Sequence, residues 1–142
     1  MSTILLVEDN PDDEMLALRA LKKAAGKTDV VVMRDGQEAV DWVFGLGKFS
    51  GRNTRELPQV IFLDIRLPKL SGLQVLETIR QNEDTKLIPV VLMTSSNEEL
   101  DLVNGYALGA NSYINKPGSF DDFIDQVRVL GHYWLGINRT PH

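Results

Sequence analysis

The sequence predicts an α/β fold: five parallel strands in one doubly wound sheet, with helices on both faces. Three observations carry this. Short apolar runs led by β-branched residues recur along the chain, and such runs read as buried strands. Segments with apolar residues at helical spacing lie between them. The two kinds alternate without a break, and right-handed crossovers between parallel strands then place helices on both sides of the sheet.

Strand one is Ile4-Leu5-Leu6-Val7. Asn10-Pro11-Asp12-Asp13-Glu14 starts a helix, with Asn as its cap, Pro in its first turn and acids near the positive end of its dipole. Met15, Leu18 and Leu21 form its expected apolar stripe, Arg19, Lys22 and Lys23 lie outside it, and Gly26 ends it. Strand two is Val30-Val31-Val32-Met33. Asp35-Gly36 then turns into a helix bearing Ala39, Val40, Val43 and Phe44. No period is visible from Gly45 to Pro58. A structureless stretch of that length is uncommon in a compact domain, so it implies a functional role or a short hidden element. The run Val60-Ile61-Phe62-Leu63 is strand three, and it reaches Asp64. Leu67 to Gly72 turns into a helix with Val75, Leu76 and Ile79. Pro89 opens strand four, Val90-Val91-Leu92-Met93. Ser96-Asn97-Glu98-Glu99 caps a helix with Leu100, Val103 and Leu108 on it. Strand five is Tyr113-Ile114, and Phe120, Phe123, Ile124, Val127 and Leu130 mark a final helix.

A single domain over 1–142 is expected, with an ordinary apolar fraction of 43%. The net charge of −5 argues against nucleic acid as the main partner. There are no cysteines, which excludes disulfides and thiolate metal sites and fits a reducing compartment. No signal-like leader or membrane-spanning apolar run is present, so a cytoplasmic location is expected.

The chemistry gathers at strand ends. Strand one ends in Glu8-Asp9, strand three in Asp64, strand four in Thr94-Ser95 and strand five in Asn115-Lys116-Pro117. In open α/β sheets the carboxyl edge is where ligands bind. A flavodoxin-like strand order, taken from fold precedent, brings Glu8, Asp9 and Asp64 together. Carboxylates held that close repel one another, and a divalent cation relieves this. Magnesium suits the site because it prefers oxygen ligands and keeps several waters. Asp64 could then attack phosphorus as a carboxylate nucleophile. Lys116 and the metal would offset charge on the equatorial oxygens, and Thr94 would hydrogen-bond one of them. For any single residue, capping a helix or a solvated loop explains the acid equally well. For the whole set at one edge it does not.

These residues resemble the receiver domain of two-component response regulators over nearly the whole chain. The resemblance rests on Glu8-Asp9, on Leu63-Asp64-Ile65-Arg66-Leu67-Pro68, and on Gly72, Thr94-Ser95 and Lys116-Pro117. The intervals of thirty residues from Asp64 to Thr94 and twenty-two from Thr94 to Lys116 match as well. It implies that Asp64 is the phosphoacceptor and that Asp9 is a direct metal ligand, with Glu8 acting through water and the backbone carbonyl of Arg66 completing the shell. It implies further that Thr94, with Ser95 beside it, and Lys116 hold the phosphoryl group. Thr94 and Tyr113 would be the switch pair that repacks the face made by helix four, strand five and helix five. Read without the resemblance, Tyr113 is a core aromatic with its hydroxyl at the rim.

Some features depart from a minimal receiver. The 45–58 loop is long and carries Lys48, Phe49, Arg52 and Arg55; a partner contact and a solvated insertion are both open readings. Gly118 stands where an aromatic is frequent, and Phe120 is the nearest replacement for its packing. Asp12 is a further acid near the site, available to metal-bound water or to the helix start. The resemblance implies that Arg66 and Ser96 occupy positions that tune acyl-phosphate lifetime in the receiver family. The tail over 131–142 is unusually apolar. With the long loop, it resembles the stand-alone regulators that serve phytochrome-type histidine kinases. Tyr133, Trp134 and Ile137 are candidates for a homodimer contact, against the alternative that Trp134 folds back on its own domain. His132 and His142 are expected at the surface.

The expected function is that of a stand-alone, non-enzymatic regulator. It takes a phosphoryl group from a cognate histidine kinase and acts on a downstream effector or phosphotransfer protein. Two other readings compete. A haloacid-dehalogenase-type phosphatase also uses a strand-end Asp, a hydroxyl, a Lys and magnesium, but Arg66 replaces its second acid. A receiver-like binding module working without phosphorylation is the other, and the intact acid, hydroxyl and lysine set speaks against it.

Overall fold

The computed structural model describes residues 3–26 and 28–142. Its strands are β1 (Thr3–Val7), β2 (Asp29–Met33), β3 (Val60–Asp64), β4 (Val90–Thr94) and β5 (Ser112–Asn115). They form one sheet in the order β2-β1-β3-β4-β5, and every pairing is parallel. This is the flavodoxin-like order. Its switch point lies between β1 and β3, where the crossovers leave in opposite directions and open a crevice at the carboxyl edge.

Five helices cover the two faces: α1 (Pro11–Ala25), α2 (Gly36–Phe44), α3 (Gly72–Gln81), α4 (Glu99–Ala107) and α5 (Phe120–His132). Alternation along the strands divides the core in two. Leu5, Val7, Ile61, Leu63, Val90 and Leu92 face α2 and α3. Ile4, Leu6, Val60, Phe62, Val91 and Met93 face α1 and α5. Both sets are fully buried, as strands covered on both faces require. Burying each large aliphatic side chain contributes about 1.5–3 kcal/mol.

Helix starts follow the sequence closely except at α4, where Glu98 stands at the cap position without a side-chain cap bond and Ser96 Oγ accepts from Glu98 N instead. The Asn10 side chain accepts from Asp12 N and Asp13 N, with Pro11 in the first turn. Asp35 caps α2, and Ser71 and Gln74 form a reciprocal capping box on α3.

Helix faces follow it less well. On α1 the buried residues are Leu16, Ala17, Ala20 and Leu21, while Met15 points to solvent. Leu21 and Ala24 lie against Gly131 of α5, and that close approach sets the rotation of the helix. On α4, Leu100 is 66% exposed and Val103 54% exposed; Asp101 and Gly105 face inward instead. A Cβ on Gly105 would stand 2.7 Å from Leu92 Cδ1, and the Tyr113 ring also packs there. Phe120 is 69% exposed, so it does not supply the packing that an aromatic after Lys116-Pro117 would give.

The 45–58 stretch holds the hidden element, a short 3-10 helix at Gly47–Phe49. Arg52 clamps the rest. Its guanidinium lies 3.8 Å from the centre of the Trp42 ring, and it donates to the carbonyls of Trp42, Val43 and Glu56. Arg52 is therefore an internal brace. Beyond α5, a π-turn over Tyr133–Ile137 carries the chain back along the domain. Trp134 folds into the α1 and α5 core and is unavailable as a dimer contact; its carbonyl accepts from Gln59 Nε2. Tyr133 and Ile137 remain exposed.

Candidate functional site

The site lies at the carboxyl ends of β1, β3, β4 and β5. The register sets Val7 beside Leu63 and Asp64 beside Met93. The residues that follow, Glu8 and Thr94, therefore flank Asp64 from either side. Gly72 secures the floor: a Cβ there would lie 2.1 Å from the Asp64 carbonyl oxygen, so only glycine lets α3 start so close to the strand end. Its backbone N–H donates to Ile65 O at 2.8 Å.

Lys116 is the centre of the charge network. Its ammonium donates to Glu8 Oε1 at 2.6 Å, to Asp13 Oδ2 at 2.9 Å and to Asp64 Oδ2 at 2.9 Å. The Lys116 side chain is almost wholly buried. Burial works to lower its pKa, but the bonds to Asp13, Glu8 and Asp64 outweigh burial and hold the ammonium above the ordinary lysine value. Glu8 is fully buried, and its second oxygen accepts from Asn10 N at 3.2 Å. Burial, reinforced by the neighbouring Asp64, pushes the Glu8 carboxyl up to about 8.

Asp64 has its other oxygen, Oδ1, on the backbone N–H of Arg66 at 3.2 Å. Carboxylate oxygens of Glu8, Asp9 and Asp64 lie within 4.8 Å of one another, with Asp9 on the solvent side. Three hard oxygen donors at that spacing fit a divalent metal ion. Thr94 is fully buried. Its Oγ1 accepts from Ser96 N at 3.0 Å, and among the described residues its hydroxyl proton is not committed to an acceptor. Ser95 is exposed beside it.

Two links leave the site. The Arg66 guanidinium pairs with Asp101 at 2.5 Å and with Glu98 at 3.5 Å, joining the loop after Asp64 to α4. Tyr113 packs against α4, and its hydroxyl is buried without a hydrogen-bond partner among the described residues. Burial, then the Asp101 carboxylate, raises the Tyr113 pKa.

The residue that sequence reasoning missed is Asp13. Asp12 was the expected extra acid, but Asp12 is exposed and its carboxylate is not in the network. The signal was available in the cap: with Asn10 as N-cap, position 13 is the third residue of the helix and faces back over its start.

The response regulator receiver domain model matches residues 4–128. The chain belongs to the response regulator receiver family. It is 36% identical to Response regulator Rcp1 of Synechocystis, over 97% of this chain and 92% of Rcp1. It is 40% identical to the "Probable methanogenesis regulatory protein FilR2" of Methanothrix harundinacea, over 97% of this chain and 86% of that one. The Mn(2+)-bound form of Rcp1 superposes with a TM-score of 0.92 at 34% identity, covering all of both chains. The phosphorylated cyanobacterial phytochrome response regulator RcpA does so with a TM-score of 0.92 at 33% identity, covering 99% of each. The protein is thus a receiver-domain response regulator of two-component signalling, a class that interacts with histidine kinases. Among the described residues no helix is long and apolar enough to cross a membrane.

Proposed function

We propose that Asp64 is the phosphoacceptor of this response regulator, with magnesium as its metal. The observation that carries the reading is Asp64 itself: a nearly buried carboxylate at a strand end, bonded to Lys116 and clustered with Glu8 and Asp9. Asp9, Asp64 and the backbone carbonyl of Arg66 would hold the ion, with Glu8 reached through water. When bound, the metal neutralises charge on the phosphoryl oxygens and between the carboxylates.

The chain's residues do the rest. An Asp64 carboxylate oxygen forms the new bond to phosphorus as the bond to the donor breaks: P–N for a phosphohistidine, P–O for acetyl phosphate. The leaving group keeps that electron pair. Lys116 transfers its third N–H from the Asp64 carboxylate to a phosphoryl oxygen. Thr94 donates its free hydroxyl proton to another, and Ser95 lines the outer wall. As Thr94 moves inward, space opens beside Tyr113, whose unpartnered hydroxyl gains by turning in towards it. Helix α4 and β5 repack with it, and this is the signal a partner reads.

Overlap with the phytochrome response regulator RcpA supports a phytochrome-type histidine kinase as donor, and the site's own chemistry supports self-phosphorylation and self-dephosphorylation from small donors. Exposed Tyr133 and Ile137 support a homodimer contact at the tail. The acidic surface and absence of cysteine fit a cytoplasmic regulator acting on a downstream protein.

The test is intact-mass analysis after incubation with acetyl phosphate and magnesium, comparing wild type with Asp64→Asn. A labile gain of one phosphoryl group in the wild type, absent from the variant and absent without magnesium, is expected. A wild type that gains nothing from acetyl phosphate or from a phosphorylated kinase overturns the reading and favours a module that binds without phosphorylation.

A further inference from the structure

We infer that Asp13 is a positioning residue for phosphoryl transfer, acting by aiming Lys116. The inference rests on the proposed role of Asp64. An ammonium has three N–H donors, and here they are fully assigned: one to Glu8, one to Asp13, one to Asp64. Two of these acceptors, Glu8 and Asp64, also belong to the carboxylate cluster that fits a metal. Asp13 does not. With a metal held at that cluster, Glu8 and Asp64 would be shared with it, directly or through water, whereas Asp13 would remain a partner of Lys116 alone.

Asp13 is itself held. Its backbone N–H donates to Asn10 Oδ1 at 3.0 Å, and Asn10 N donates to Glu8 Oε2. The helix start therefore ties Glu8, Asn10 and Asp13 into one frame around the ammonium. With two donors fixed by that frame, the third points at Asp64, where the phosphoryl group arrives. The Asp13 side chain is 28% exposed, so it can be replaced without opening the core. Loss of the carboxylate gives one ammonium donor to water and frees the lysine to swing off line. Small misplacements of this kind reduce rates on the order of tenfold or more.

The experiment measures phosphoryl incorporation from acetyl phosphate at saturating magnesium in wild type, Asp13→Ala and Asp13→Asn. NMR of the Lys116 side-chain ammonium, thermal melting and calorimetric magnesium titration accompany it. A drop of about tenfold in the maximal rate of Asp13→Ala is expected, with half-saturation by acetyl phosphate little changed. Asp13→Asn, which keeps an acceptor in the same place, should recover part of the loss. Lys116 ammonium protons should exchange with water faster in the alanine variant. Should the alanine variant fail to fold, slowed transfer and faster ammonium exchange in Asp13→Asn carry the same conclusion. Wild-type rates in both variants overturn the inference, as does a change confined to magnesium affinity in the calorimetric titration with the magnesium-saturated rate unaltered, which would make Asp13 only a remote charge on the metal. A wild type that takes no phosphoryl group overturns the acceptor reading and this one together; a labelled wild type matched by Asp13→Ala overturns this one alone.

Discussion

The two sides of the site are built differently. On one side, α1 and α5 lie against each other and against the sheet through Leu16, Ala17, Ala20, Leu21, Phe123, Val127 and Trp134, all buried. Gly131 lets the helices close up: a Cβ there would stand 3.1 Å from Ala24 Cβ. On the other side, α4 buries only Asp101 and Gly105 and leaves Leu100, Val103 and Tyr106 in solvent. Glu8, Asp9 and Asp13 belong to the well-packed side, whereas Thr94, Arg66 and Tyr113 adjoin the sparsely packed one. The difference teaches where movement is cheap. The acidic groups proposed to hold metal and to aim the lysine stand on a wall that deforms only at high cost. Groups proposed to report the phosphoryl group adjoin a helix with few apolar contacts to lose.

The largest effect should come from the packed side. Leu21→Ala removes a fully buried side chain from the α1 and α5 interface and should destabilise by about 2–5 kcal/mol in urea unfolding. A loss below about 1 kcal/mol would mean that α1 is no better anchored than α4.

A smaller effect concerns Glu8. Its folded pKa is raised from 4.5 to about 8 by burial and by Asp64, so the native state holds a proton that the unfolded chain releases. Its contribution is full below the unfolded value and is lost as pH rises through about 8. Without metal, Glu8→Gln should flatten the fall in stability across that window. Magnesium should flatten it too, since the cation favours the ionised carboxylate, and its binding should release protons near neutral pH. Equal slopes in wild type and variant would mean that Glu8 is ionised throughout.

The smallest expected change in stability, about 1 kcal/mol, belongs to Asp101→Ala. It removes the closer of two acidic partners of an exposed Arg66 and leaves Glu98. Its signature is local: amide exchange along α4 should quicken while α1 and α5 stay unchanged. Uniform change over all helices would dissolve the distinction between the two sides.

Much of this was legible in sequence. Strand ends at Glu8, Asp64, Thr94 and Lys116 were readable because a short apolar run reports its own burial, and the residue after it must sit at the sheet edge. Caps at Asn10 and Asp35 were readable because capping is chemistry within four residues. The Gly45 to Pro58 stretch was partly legible: its length called for a functional role or a short element, but the Arg52 clamp on Trp42 leaves no periodic trace.

What the chain determined alone was local: the alternation of strands and helices, the helix starts, and which residue types stand at the carboxyl edge. Tertiary structure decided the rest. It turned Met15 and Phe120 outward and Trp134 inward, set Asp101 and Gly105 on the buried face of α4, and chose Asp13 over Asp12. Periodicity gives a helix its stripe within a residue or so, but the rotation that buries one stripe is set by what the neighbouring helix can accept. Asp13 and Lys116 stand 103 residues apart, and no local pattern links an acid in one helix turn to an ammonium at a distant strand end. Only when β1 and β5 are fixed in one sheet do their ends bring the charges within hydrogen-bond reach, where burial makes the pairing strong.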